Sequence, residues 1–234
     1  MNRFSREFPM SVPHIGILAF PGVLQMDLTG PFGVFAAGPD CRVDLVWKNT
    51  HQLSSSDGLL LTPTLALADC PQLDVLCVPG GSGVLPLMGD PEILDFLRSQ
   101  AEKARFMASV CTGSLVLGAA GLLLGRRATT HWQSMDILPE FGAMAVKSRV
   151  VRDDSLISAA GVSAGIDMAL ALAGIMWGED VATMIALRME YAPEPPYPGD
   201  PALAPASLVH RLAEENADRQ AGRLRAARAA AALL

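Results

Sequence analysis

Three short, largely apolar runs restrict this chain to few architectures: HIGILAF at 14–20, DVLCV at 74–78 and FMASV at 106–110. A strand wetted on one face alternates apolar with polar residues. Continuous apolar runs bounded by Pro13, Pro21 and Pro79 instead read as strands covered on both faces, as in the middle of a parallel sheet. Between the second and third runs, Asp90-Pro91-Glu92 carries a helix start signal, with an apolar face at Ile93, Leu94, Phe96 and Leu97 ending near Lys103. The order strand, loop, helix, strand, sharp turn, helix from Asp74 to Gly121 follows the crossover logic of a doubly wound α/β domain. RVDLVW at 42–47 adds a strand, and hairpins are predicted at Asp57-Gly58 and, over Met144–Ser158, at Asp153-Asp154. Core helices are predicted over 163–177 and 180–191. A helix is also expected to start or kink at Pro31, whose ring would clash with the Asp27 carbonyl.

The third run leads directly into Cys111. Its strand ends at Val110, and a helix is predicted from about Thr112 through Leu117, with Gly121 as a stop. Cys111 therefore sits at a helix N-terminus, where free backbone N–H groups and the helix dipole favour a thiolate and can hold an oxyanion. The alternative is a small buried hydrophobe.

Asp27 follows the first run and lies beyond the carboxyl end of its strand, the end where open α/β sheets bind ligands. Among Met26, Leu28, Phe32 and Val34 its carboxyl would titrate near neutrality and serve as an acid or base; otherwise it is a cap or a turn residue. The second run leads into Pro79-Gly80-Gly81-Ser82-Gly83, whose backbone can approach a ligand closely. This loop lacks the spacing of a dinucleotide fingerprint and the Lys-Ser/Thr of a P-loop. It is expected to form an oxyanion-hole wall facing Cys111, or else an ordinary tight turn. His131 could orient a thiol or be a buried structural histidine.

The chain has 234 residues, half of them hydrophobic, enough for one sizeable core. Its formal charge of −6 argues against nucleic-acid binding through bulk charge. Cys41, Cys70, Cys77 and Cys111 form no CxxC pair and no zinc-like cluster, so neither disulfides nor a structural metal is expected. No signal-peptide run and no uninterrupted apolar stretch of membrane-spanning length is present, which points to a cytoplasmic protein without membrane attachment. The expected organisation is a flexible extension over 1–12, one domain over 13–205 ending in a Pro-rich connector at 192–205, and a terminal helix over 206–234 packed on the body or on a second subunit.

Together, MDLTGP at 26–31, the PGG loop, SVCTGSLVLGAAGLL at 109–123, RATTHW at 127–132 and AGVSAGID at 160–167 resemble the ThiJ/PfpI superfamily of glutamine-amidotransferase-like domains. Within it, these motifs and the tail Met189–Pro196 are most similar to the isocyanide hydratases. The resemblance implies a flavodoxin-like α/β sandwich with a mostly parallel sheet, helices on both faces and a nucleophile elbow. It also implies a homodimer, and hydration of a small isocyanide to an N-substituted formamide with no metal or organic cofactor. Cys111 would be the nucleophile, forming a thioimidate, and Asp27 the acid/base. Thr112 would be a neighbouring site residue, and the N–H groups of Gly81 and Thr112 would be the oxyanion donors. Gly80, His131 and Val162 are secondary candidates; Val162 lies in Ala159-Ala160-Gly161-Val162, where the hydratases carry a glycine-rich run. A deglycase or peptidase-like hydrolase of the superfamily is the alternative within it; members with peptidase activity typically have His directly after the cysteine, where this chain has Thr112, and favour Glu in place of Asp27. A non-catalytic redox sensor acting through Cys111 is the alternative of a different class.

Overall fold

A computed structural model describes residues 12–234. The predicted extension at 1–12 thus lies, save for Val12, outside the described residues. The first apolar run forms β1 (His14–Leu18), followed by α1 (Gln25–Ala36) and β2 (Arg42–Trp47). Next come the hairpin strands β3 (Leu53–Ser54) and β4 (Leu60–Leu61), then β5 (Leu65–Ala66) and β6 (Val75–Val78). The short α2 (Val84–Leu87) and α3 (Pro91–Ala101) lead to β7 (Phe106–Val110) and α4 (Gly113–Ala119). Asp90 caps α3 by accepting the Ile93 N–H, as its sequence position predicts.

The described residues form one seven-stranded sheet in the order β10-β11-β7-β6-β1-β2-β5, where β10 is Val150–Asp153 and β11 is Leu156–Ala159. All neighbours pair in parallel except β10 with β11. Every residue of β6 and β7 is buried, which is why those runs carry no polar alternation. Helices α1, α5 (Ala164–Trp177) and α6 (Glu179–Arg188) pack as one layer. Helices α2, α3, α4 and α8 (Ala217–Ala231) form another. The expected α/β sandwich with a mostly parallel central sheet is the observed fold.

Three local expectations need correction. Helix α1 neither starts nor stops at Pro31 but runs through it, with Asp27 in its first turn. Its start is fixed from outside, by the Leu24 N–H donating to the Gly80 carbonyl and by the bridge between Val23 and Gly81. Burial of Leu28, Pro31, Val34 and Phe35 holds the rest. The hairpin expected over Met144–Ser158 is confined to β10 and β11. Met144–Ala145 (β9) instead pairs in parallel with Arg127–Ala128 (β8), and a 3₁₀ segment over Trp132–Phe141 connects the two. The terminal helix is two helices, α7 (Ala206–Glu215) and α8, joined at Asn216. It is α8 that seats on the body, placing Ala227 and Ala230 in the core.

Packing at the elbow is tight enough to test. A Cβ on Gly113 would lie 1.9 Å from the Val78 carbonyl oxygen, a backbone atom at the end of β6 that cannot move aside cheaply. Gly33, exposed in the interior of α1, has nothing within 4 Å of the equivalent position. Gly113→Ala is expected to destabilise by about 3 kcal/mol, and Gly33→Ala to stabilise by about 0.5–1 kcal/mol, as read by urea unfolding. Equal and small effects at the two sites would contradict the described contact.

Candidate active site

The sheet order places β7, β6 and β1 side by side, so the residues following their carboxyl ends converge. Those residues are Cys111, the Gly80-Gly81 loop and Asp27. The backbone at Cys111 adopts φ 55°, a left-handed conformation that costs an ordinary L-residue on the order of 1–2 kcal/mol. The turn is held from both sides. The Cys111 N–H donates to the Ala159 carbonyl at 3.0 Å, and the Cys111 carbonyl accepts from the Thr130 hydroxyl at 2.9 Å and the Ser114 hydroxyl at 3.2 Å. Cys111 stays in the core with 6% of the residue exposed, where it lines a cavity of about 400 Å³.

Asp27 is fully buried beside the thiol. Its Oδ2 accepts the Gly80 N–H at 2.9 Å, and Oδ1 has no hydrogen-bond partner among the described residues. Burial pushes this carboxyl up to about 7; the Gly80 N–H and the adjacent Cys111 thiol pull it down and only partly offset burial. Oδ1 is the oxygen left to exchange a proton. No side chain fits at Gly80, where a Cβ would lie 2.7 Å from both the nitrogen and the hydroxyl of Thr112 and 2.9 Å from Asp27 Oδ2. Gly81, at φ 137°, donates its N–H to the Thr112 hydroxyl at 3.3 Å. The backbone N–H and hydroxyl of Thr112 both act on the Cys111 sulfur.

The expected lowering of the thiol pKa by the helix N-terminus does not hold. Burial pushes Cys111 well above the ordinary thiol range, and the Asp27 charge pushes it further. The Thr112 N–H, the Arg223 charge and the Thr112 hydroxyl oppose this without overcoming it. At rest the pair is a buried thiol beside a buried carboxyl.

Of the remaining candidates, His131 and Val162 line the same cavity, as do Gly81 and Thr112. His131 is not aligned on the thiol: its Nδ1 accepts the Gln133 N–H at 3.4 Å, capping the 3₁₀ segment. Burial, and then the Arg223 charge, lower it to about 4, leaving it neutral at pH 7. Among the described residues no group of three or more His, Cys, Asp or Glu is placed to hold a metal ion. Sequence reasoning missed the far wall, which comes from the terminal helices: Leu212, Asn216, Arg219 and Arg223. The spacing of the last three put them on one helical face, a signal that was available in the sequence.

Residues 13–174 match the DJ-1/PfpI family. The chain is 58% identical over 196 residues to isonitrile hydratase from Pseudomonas putida, covering 83% of this chain and 86% of that one. It is 34% identical over 143 residues to the HTH-type transcriptional regulator GbdR of Pseudomonas aeruginosa, covering 60% of this chain but 39% of the regulator. A THiJ/PfpI family protein from Pseudomonas syringae superposes with a TM-score of 0.89 at 37% identity, over 99% of this chain and 96% of that one.

The raised carboxyl has a thermodynamic signature. Asp27 holds its proton to about 7 in the folded state, whereas in the unfolded chain it loses it near 4. Between these values the native state binds the extra proton, so the Asp27 contribution to stability falls as pH rises, by up to about 4 kcal/mol. His131, lowered on folding, contributes the opposite slope. The measurement is therefore the difference between wild type and Asp27→Asn in urea unfolding at pH 4.5 and 7.5. The variant should gain on the wild type at the higher pH, and parallel profiles would contradict the assignment.

Proposed function

The chain belongs to the DJ-1/PfpI family, and we propose that it is an isocyanide hydratase, R–NC + H₂O → R–NH–CHO, with Cys111 as nucleophile and Asp27 as acid/base. The observation that carries the activity is identity to a hydratase over most of both chains. The residue roles rest on the pairing of a buried carboxyl, with one free oxygen, and a thiol at the cavity floor.

Asp27 takes the thiol proton as the sulfur bonds to the terminal carbon of the isocyanide, then delivers that proton to the carbon, leaving the thioimidate Cys–S–CH=N–R. Water adds to this carbon with Asp27 accepting one of its protons, and the nitrogen is protonated. Collapse of the tetrahedral adduct forms the formamide C=O and breaks the C–S bond, and the sulfur regains a proton. The Gly81 and Thr112 N–H groups are the donors for charge developing at the reacting centre. At rest they are engaged by the Thr112 hydroxyl and the Cys111 sulfur, for which an incoming substrate atom competes. Gly80 holds Asp27, while Val162 and His131 are walls of the substrate cavity.

A redox-sensing role calls for an accessible low-pKa thiol, and the burial and raised pKa of Cys111 count against it. Action as a cytoplasmic homodimer completes the reading. The cysteines among the described residues are free, as a reducing compartment would keep them, and none of the described helices is long and apolar enough to cross a membrane.

With p-nitrophenyl isocyanide, formamide formation followed by absorbance or mass should vanish in Cys111→Ala without loss of the fold. Asp27→Asn should lower kcat on the order of 10²–10⁴-fold. No product from the folded wild type with this isocyanide or with a charged one such as isocyanoacetate would overturn the reading. In the wild type, kcat/KM should rise with pH through an apparent pKa near the Asp27 value of about 7, because below it no base is free to accept the thiol proton. A profile flat from pH 5 to 9 would remove Asp27 from that role.

A further inference from the structure

Helix α8 is rich in alanine and arginine, and its arginines have different fates. Arg228 pairs with Glu140 at 3.1 Å. Arg223, 7% exposed, points inward and donates only a long 3.4 Å hydrogen bond to the Gly81 carbonyl. It has no carboxylate partner among the described residues, and Arg219, one turn away on the same face, has none either. Both line the cavity above Cys111. Asp57 lies on the same rim but pairs with neither; its backbone N–H is held by the Ser55 hydroxyl.

An isolated buried cation costs several kcal/mol unless something supplies the missing charge and hydrogen bonds. The protein supplies one marginal acceptor to a guanidinium with five N–H donors. This occurs in a chain of net charge −6, so the positive wall is local rather than part of a general surface field. The helix face explains how it is held in place. Toward its C-terminal end the face buries Ala227 and Ala230 in the core, and Gln220 accepts the Ser134 hydroxyl at 2.9 Å. Toward its N-terminal end the same face opens over the cavity with Asn216, Arg219 and Arg223. A planar fork of this kind matches a carboxylate bidentately.

We propose that the substrate is an isocyanide bearing a carboxylate, bound by Arg223 with Arg219 at the rim while its terminal carbon meets Cys111. This rests on the hydratase reading and names the substrate class within it.

The test compares isocyanoacetate with methyl isocyanoacetate, in which a methyl group caps the carboxylate and removes its charge. In the wild type the acid-to-ester ratio of kcat/KM should exceed tenfold. In Arg223→Gln the ratio should fall at least tenfold, with Arg223→Lys intermediate and Arg219→Gln showing a smaller fall. An ester turned over as well as the acid would overturn the proposal. So would an Arg223→Gln loss equal for both compounds, which would make the arginine an electrostatic support of the thiol. A second arm needs no turnover. Iodoacetate and iodoacetamide each alkylate Cys111 by displacing iodide, and their rates are read by mass at that residue. The wild-type preference for the anionic reagent, relative to free cysteine, should disappear in Arg223→Gln. If no isocyanide of any kind is hydrated, the hydratase reading fails, and the alkylation ratio alone decides whether the cavity selects anions. A ratio equal to that of free cysteine rejects that too. Circular dichroism and thermal melting establish that each variant is folded.

Discussion

The site depends on one strained peptide. Cys111 leaves the buried strand β7 in a left-handed conformation, and the cost is met by three hydrogen bonds from separate parts of the chain: Ala159 at the end of β11, Thr130 after β8, and Ser114 in the first turn of α4. Were the residue to relax toward an ordinary strand or helix conformation, the thiol would turn back among Val110 and Leu115, where it would be inert. The missing side chain of Gly113 lets α4 start directly against the end of β6, so the elbow and the Gly80 loop share one layer of backbone. The geometry of the Cys111 turn is thus a property of the carboxyl end of the sheet as a whole.

The electrostatics follow from the same burial. Desolvation raises Cys111 and Asp27 alike, and it raises the thiol well beyond the carboxyl. Of the two, the carboxyl loses its proton first, and it does so around neutral pH while the thiol keeps its own. A permanently ionised thiolate would be a stronger nucleophile at rest, but it would also invite oxidation. Isocyanide hydration needs a proton delivered to the same carbon the sulfur attacks. A neutral thiol beside an unpaired Oδ1 suits that demand better than a separated ion pair.

Much of this arrangement was legible in the sequence for a topological reason. Three apolar runs can be recognised as central parallel strands, and the residues just past their carboxyl ends must lie near one another if the strands are neighbours, as β7, β6 and β1 are. Cys111, Gly80-Gly81 and Asp27 are found by that rule. The sign of the thiol shift was not legible, because a helix N-terminus is visible in sequence while the depth of burial is a tertiary fact that outweighs it. Pro31 misled similarly: local sterics predicted a break, but the helix is started by contacts to Gly80 and Gly81, some fifty residues away. His131 lines the cavity, while its role as a neutral cap depends on a backbone turn that has no sequence signature.

The terminal helices change what the fold can do. On the proposed reading the sheet and its loops supply the reacting groups, Cys111 and Asp27. The opposite wall of the cavity arrives after a Pro-rich connector, beyond the residues that match the family. The break at Asn216 lets α7 and α8 take separate directions, so that Leu212 on one and Arg219 and Arg223 on the other reach the same cavity. Anchoring by Ala227 and Ala230 against the core fixes the axis of α8, and through it the depth of Arg223. Exchange of residues along this single helix face could alter the ligand charge accepted without disturbing the elbow. On the proposed reading chemistry and selectivity sit on two parts of the chain, held together by the packing of Ala227 and Ala230 and by the Arg228–Glu140 and Ser134–Gln220 contacts.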